Sequence, residues 1–285
     1  MTFNDNARVG GSTARRRGGG MAAAGGGIAG IGAIAVLLFQ LFTGTDLSGL
    51  LGGGGGQVGT GEETQIEQCQ TGEDANERDD CRLAAGQLAL DQYWQTELQG
   101  YRAPQLIIVD GSTGTACGTA SNQTGPFYCP PEETVYVDPT FFGLLRQQFD
   151  ATAGPLAQLY VLAHEYGHHV QNIAGIMEQH PNNGTGPDSN GVRMELQADC
   201  FAGAWVGDMT RLQDENGVPY LEQPTPQQIA DAINAAQTVG DDHIQQESGG
   251  AVNPESWTHG SSEQRKRWFR RGFESGDPNA CNTFQ

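Results

Sequence analysis

Two pairs of side chains, each spaced by four, restrict what this chain can fold into. His164-Glu165-Tyr166-Gly167-His168 lies in a run whose apolar positions, Leu156, Leu159, Tyr160, Ala163, Val170 and Ile173, follow a helical period. Residues four apart stack on one helix face, so the two imidazoles converge on one point. Glu195-Leu196-Gln197-Ala198-Asp199 repeats the spacing on the next predicted helix, among Phe201, Ala202, Ala204, Trp205 and Val206. Carboxylates on so apolar a helix are costly to bury without partners. Two imidazoles facing one carboxylate form the ligand set of a zinc ion that keeps a position open for water.

The pattern assigns roles. His164, His168 and Glu195 are the candidate ligands of one Zn2+ per chain. Glu165 projects about 100° away on the helix and is the candidate general base. Asp199 is placed to accept the remaining ring proton of a ligand histidine. Zinc lowers the pKa of bound water toward about 7, where a carboxylate can take its proton. A buried helix with satisfied histidines, or a solvated acidic face, explains either motif alone; their alignment favours the metal.

The same residues resemble a known family. His-Glu-Tyr-Gly-His-His-Val-Gln at 164–171, followed by Glu-Leu-Gln-Ala-Asp-Cys-Phe-Ala-Gly at 195–203, is similar to the neutral zinc metallopeptidases of bacteria and to the gluzincin group of zincins. Segments 117–118, 125–130 and 135–138, and Thr258-His259-Gly260-Ser261-Ser262 with Gln264-Arg265, extend the resemblance over residues 65–285. It implies an α+β, zincin-like metalloprotease domain, mainly helical with a small sheet. It also implies zinc on His164, His168 and Glu195, Glu165 as base and Asp199 behind the ligands. His259 with Arg265 is similar to a late pair in membrane-associated zinc peptidases. There His259 is a catalytic candidate, steadying the oxyanion or closing the site as a temporary ligand; a histidine that only opens the last helix is the alternative.

The amino end reads differently. Met21 to Phe42 runs 22 residues without a charge, about 33 Å as a helix against a bilayer core of roughly 30 Å. Arg15, Arg16 and Arg17 precede it and acidic sequence follows, which places the amino terminus in the cytoplasm. No Ala-x-Ala-like cleavage site follows Phe42, which disfavours a removed signal peptide. Nineteen of the 42 glycines lie in residues 1–61, so the glycine excess belongs to this end. The expected organisation is a cytoplasmic basic tail (1–20), one transmembrane helix (21–42), a Gly-rich linker (43–64) and a metallopeptidase domain (65–285).

The net charge of −19 excludes a nucleic-acid partner on electrostatic grounds. All six cysteines follow the apolar run, as expected for disulfides in an oxidising compartment. Cys69 with Cys81 and Cys117 with Cys129 share a 12-residue step, leaving Cys200 with Cys281. No Cys-x-x-Cys supports a zinc finger. Helices are expected over 79–98, 140–151, 155–173, 192–212, 225–238 and 262–273, with strands at 105–110 and 134–138. The strand near 135–137 is expected at the cleft rim, with Tyr128 and Tyr136 more readily packed in the sheet than lining the cleft.

These readings converge on a membrane-anchored, extracytoplasmic zinc peptidase that cleaves a peptide or protein substrate with Glu165 as base. The alternative is a non-catalytic tethered module, zinc-binding or disulfide-stabilised, that serves interaction. An intact Glu165 disfavours it, because a purely structural zinc site has no use for that carboxylate.

Overall fold

The computed structural model of the chain describes residues 2–18, 63–66, 68–148, 153–247 and 251–285. They form a mixed α+β fold, rich in helix, with a small sheet. Strands β1 (Arg15–Gly18), β2 (Glu63–Gln65), β3 (Gln105–Asp110), β6 (Phe127–Cys129) and β7 (Thr134–Val137) build one sheet in the order β2-β1-β3-β7-β6. β1, β3 and β7 run parallel; β2 and β6 are antiparallel edges. Strands β4 (Ser112–Thr115) and β5 (Gly118–Ser121) form a separate hairpin. β3 carries the run Leu106-Ile107-Ile108-Val109, buried along its length, as suits an interior parallel strand.

The helices are α1 (Gly72–Glu77), α2 (Asp79–Glu97), α3 (Phe141–Gln148), α4 (Pro155–Ile173), α5 (Ile176–Gln179), α6 (Asn190–Asp208), α7 (Pro226–Thr238), α8 (Asp241–Glu247) and α9 (Ser262–Ser275). Their ends obey local chemistry. Pro155 opens α4, where its missing N–H costs nothing. The Ser189 hydroxyl accepts the Val192 N–H at 3.2 Å and starts α6. Thr225 with Gln228, and Ser261 with Gln264, form capping boxes for α7 and α9. Gly276, in the left-handed region at φ 62°, ends α9.

α6 is the central helix. Trp205 and Ala204 are wholly buried on it, and the Phe201 ring meets Trp94 of α2 edge-on at 5.2 Å. Its contact with α9 depends on two glycines. A Cβ on Gly203 would lie 2.1 Å from the Phe269 carbonyl oxygen, and one on Gly272 would lie 1.9 Å from that of Cys200. Cys200 is also disulfide-bonded to Cys281, tying the carboxyl end to this helix; Cys69–Cys81 and Cys117–Cys129 complete the expected pairing.

Three expectations change. Residues 2–18, read as a separate tail, pack into this fold: Phe3, Ala7, Val9 and Ala14 have no exposure and β1 is an interior strand. Glu63 and Thr64, assigned to the linker, belong to β2. β7 has a partner on each side, so the strand at 135–137 is no rim; the edge is β6. The predicted span 21–42 lies outside the described residues. Among the described residues no helix is long and apolar enough to cross a membrane.

Candidate metal centre

α4 and α6 pack face to face and bring the two spaced pairs together. Their close approach rests on Gly167: a Cβ there would lie 2.9 Å from Ala198 Cα. Across this contact His164 Nε2 stands 3.1 Å from Glu195 Oε2, and His168 Nε2 stands 3.3 Å from Glu195 Oε1. The ligand atoms of the three side chains lie within 4.8 Å of one another, and all three residues are buried. A second cluster, Cys69, Asp80 and Cys81, meets the same distance test, but both of its sulfurs are committed to a disulfide.

The rings are held so that Nε2 of each faces the shared point. His164 Nδ1 is 2.9 Å from Asp199 Oδ1, and His168 Nδ1 is 2.9 Å from Gln171 Oε1. The Gln171 amide cannot be the other way round, because its Nε2 donates to the Met194 carbonyl at 2.8 Å and to Gln197 Oε1 at 3.1 Å. His168 therefore donates from Nδ1, so Nε2 is the nitrogen that the neutral ring would offer to a metal. Two imidazole lone pairs and a carboxylate, each braced from behind, fit zinc in type, number and convergence.

A charged network sits behind the ligands. Asp199 is fully buried and receives a fork from Arg265, Nε to Oδ2 at 2.8 Å and Nη2 to Oδ1 at 2.9 Å, and the Tyr160 hydroxyl at 2.5 Å. Burial opposes its charge, yet Arg265 and His164 hold its carboxyl below the usual range. Burial likewise opposes the charge on Glu195, and His168 and His164 hold it well below that range. Burial also disfavours a charged His164, but Asp199 and Glu195 outweigh it and raise its pKa to about 10. Metal binding must displace that proton.

Glu165 points from the same turn of α4 toward the sheet edge, where its Oε2 accepts the Tyr128 backbone N–H of β6 at 2.9 Å. The sheet edge thus positions the candidate base beside the ligands. His259 lines the same cleft and is buried. Asp241 holds its loop: Oδ2 accepts the N–H groups of Thr258, His259 and Gly260 at 2.7, 2.6 and 2.9 Å, and Oδ1 lies 3.3 Å from His259 Nδ1. Burial disfavours a charged His259, but Asp241 and Glu195 raise its pKa.

The structure brings His164, Glu165, His168, Glu195, Asp199 and His259 together, with Arg265 bonded to Asp199 behind them. Tyr128 lines the cleft as well, against the sheet-packing expectation. Tyr136 does pack in the sheet, stacked on Phe127 with its hydroxyl bonded to Glu132. Gln171, Tyr160 and Asp241 were not foreseen as part of the site. Gln171 had a signal, since it lies three residues from His168 and so on its face. Asp241 had none, because it meets His259 through a turn of the chain rather than a helical spacing.

The cleft has a volume of about 660 Å³. Among the described residues, no Asp, Glu, Lys or Arg lines it apart from Glu165, Glu195 and Arg265, while Phe141, Leu145, Val161, Ala235, Val239 and Ile244 do.

The family model described as "Putative neutral zinc metallopeptidase" matches residues 3–284. The chain is 48% identical over 220 residues to the uncharacterized protein Rv2575 of Mycobacterium tuberculosis, covering 77% of this chain and 75% of that one. It is 41% identical over 268 residues to the uncharacterized protein YpfJ of Escherichia coli, covering 90% and 87%. No solved structure matches the chain. With a match across almost its whole length and both motif helices inside that match, the chain belongs to this neutral zinc metallopeptidase family.

Proposed function

We propose that the chain is a zinc-dependent peptidase with a zincin-like active site, attached to a membrane through the apolar run at 21–42 and working outside the cytoplasm. The observation that carries the reading is Glu165. It stands beside a buried His164–His168–Glu195 triad, fixed by a backbone N–H and not itself needed as a ligand. A structural zinc site has no role for such a carboxylate.

His164, His168 and Glu195 would hold one zinc ion, which would supply Lewis-acid polarisation of a carbonyl and a lowered pKa for water. Glu165 takes the proton from the attacking water and returns it to the leaving amine. His259, steadied by Asp241, donates to the developing oxyanion. Asp199 and Arg265 keep the His164 ring in place throughout. The apolar lining of the cleft suits a peptide bearing an apolar side chain next to the scissile bond. The neighbouring edge strand β6 gives the substrate a backbone to lie along.

The test is a digest of a peptide library by zinc-loaded protein, wild type beside Glu165→Gln. Cleavage that a chelator stops, zinc restores and Glu165→Gln abolishes while keeping its zinc is the expected result. Equal cleavage by the variant would overturn the assignment of the base, and no cleavage by zinc-loaded wild type would overturn the peptidase reading.

A further inference from the structure

The arm 2–18 and the body that begins at Glu63 are far apart in sequence and interlocked in space. Arg17 of β1 pairs with Glu63 of β2, while Arg15 pairs with Ile107 of β3 on its other side. Ahead of the strand, Asn4 N–H donates to the Tyr220 carbonyl, Glu222 N–H to that of Thr2, Val9 N–H to that of Gln70 and Gly72 N–H to that of Ala7. The Asn76 side chain accepts the N–H groups of Thr2 and Phe3 at 3.0 and 3.1 Å. Phe3 and Val9 are wholly buried, so withdrawing the arm would return both side chains to water.

The charges tell the same story. Arg15 and Arg17 both bind Glu63, Arg16 binds Asp80, and Arg8 lies 3.3 Å from Glu215. The three arginines that would orient a free tail toward the cytoplasm are all engaged by two carboxylates of the body, Glu63 and Asp80.

This arrangement conflicts with one crossing of the membrane between the two parts. Paired strands lie about 4.8 Å apart, whereas a single span separates its ends by about 30 Å of hydrocarbon. A return crossing would fall to residues 43–62, which contain Asp46, Glu62 and five consecutive glycines but no apolar stretch long enough to span. Placing the arm on the opposite face would strip β1 from between β2 and β3 and open the sheet in its interior.

We infer that residues 2–18 and the body from Glu63 onward lie on the same side of the membrane. The apolar run 21–42 then attaches the protein to a lipid surface from that side and is not a single-pass anchor. The inference is independent of the zinc reading, since it uses none of the metal-centre residues. It also replaces the expected topology of a cytoplasmic amino terminus with an extracytoplasmic domain.

The full-length chain in membrane vesicles of known orientation tests it. Asn6 and Asn216 are exposed, and no free cysteine is present among the described residues. A membrane-impermeant maleimide therefore reads Asn6→Cys and Asn216→Cys without a native background. Both variants are expected to label from the same face and to be protected together when the vesicles are inverted. Labelling from opposite faces would overturn the inference. A second measurement guards against perturbed variants: Arg8→Cys with Glu215→Cys, treated with a short bis-maleimide, should link the arm to the body after the glycine-rich segment is cut. Release of the arm from a folded, disulfide-intact body would equally overturn it.

Discussion

Gly167→Ala tests how the fold sets the metal centre. An added Cβ falls 2.9 Å from Ala198 Cα and 3.0 Å from Ala198 Cβ. Carbon atoms pack at about 3.5–4.0 Å, so α4 and α6 must part locally by roughly 0.5–1 Å. Two effects on stability oppose one another. Alanine is favoured over glycine in a helix interior by about 1 kcal/mol, and overpacking costs about 1–3 kcal/mol. The net loss on unfolding is small, about 0–2 kcal/mol. The ligands are less forgiving. His164 and His168 ride on α4 and Glu195 on α6, three residues before Ala198. Zinc–ligand distances hold within about 0.2 Å, less than the required displacement. Zinc affinity should therefore fall about 10–100-fold, the scale seen when a metal's supporting groups are disturbed. The assay is competition for zinc against a chromophoric chelator, beside urea unfolding of the metal-free protein. If Gly167→Ala binds zinc as tightly as wild type, the helix contact does not set the geometry and the reasoning fails.

Three further outcomes are expected. Gln171→Leu removes the acceptor of His168 Nδ1 and the donor to Met194 and Gln197, so zinc affinity should drop about 10–100-fold in the same competition assay; an unchanged affinity contradicts the assigned tautomer. Arg265→Met leaves Asp199 as a buried carboxylate without its cation and should cost about 3–5 kcal/mol in urea unfolding of metal-free protein, with Arg265→Lys losing less; a loss below about 1 kcal/mol, the worth of an exposed pair, would contradict a buried one. Burial pushes Asp91 up to about 6 although the Tyr101 hydroxyl donates to it at 2.6 Å. Between pH about 4 and 6 the native carboxyl keeps a proton that the unfolded chain has released, so this group's contribution to stability falls as pH rises through that window. Asp91→Asn should gain on wild type by on the order of 2–3 kcal/mol between pH about 4 and 7, read by urea unfolding at both ends; the same difference at both pH values contradicts the assignment.

The metal centre was legible in the sequence because its essential spacings are local. His164 with His168, and Glu195 with Asp199, are each one helical turn apart, so periodicity alone put them on one face. Helices 155–173 and 225–238 were legible for the same reason, helped by Pro155 and by the cap at Thr225. The cysteine pairing followed from two equal steps and one remainder. What escaped was non-local. Asp241 reaches His259 across 18 residues, and the Tyr128 N–H reaches Glu165 across 37. Neither leaves a trace in spacing. The packing of the amino-terminal arm escaped for a related reason: the partners of Arg15, Arg16 and Arg17, which are Glu63 and Asp80, lie more than 40 residues away. The interior place of β7 is equally hidden, because a strand's period does not reveal how many neighbours it has.

The central claim is that α4 and α6 together hold one zinc ion on His164, His168 and Glu195. Anomalous diffraction at the zinc absorption edge from crystals of zinc-loaded protein tests it most directly. The account predicts one peak, bonded to Nε2 of both histidines and to the Glu195 carboxylate, with Glu165 beside it but not bonded. A peak elsewhere on the chain, or none at this site, would contradict it.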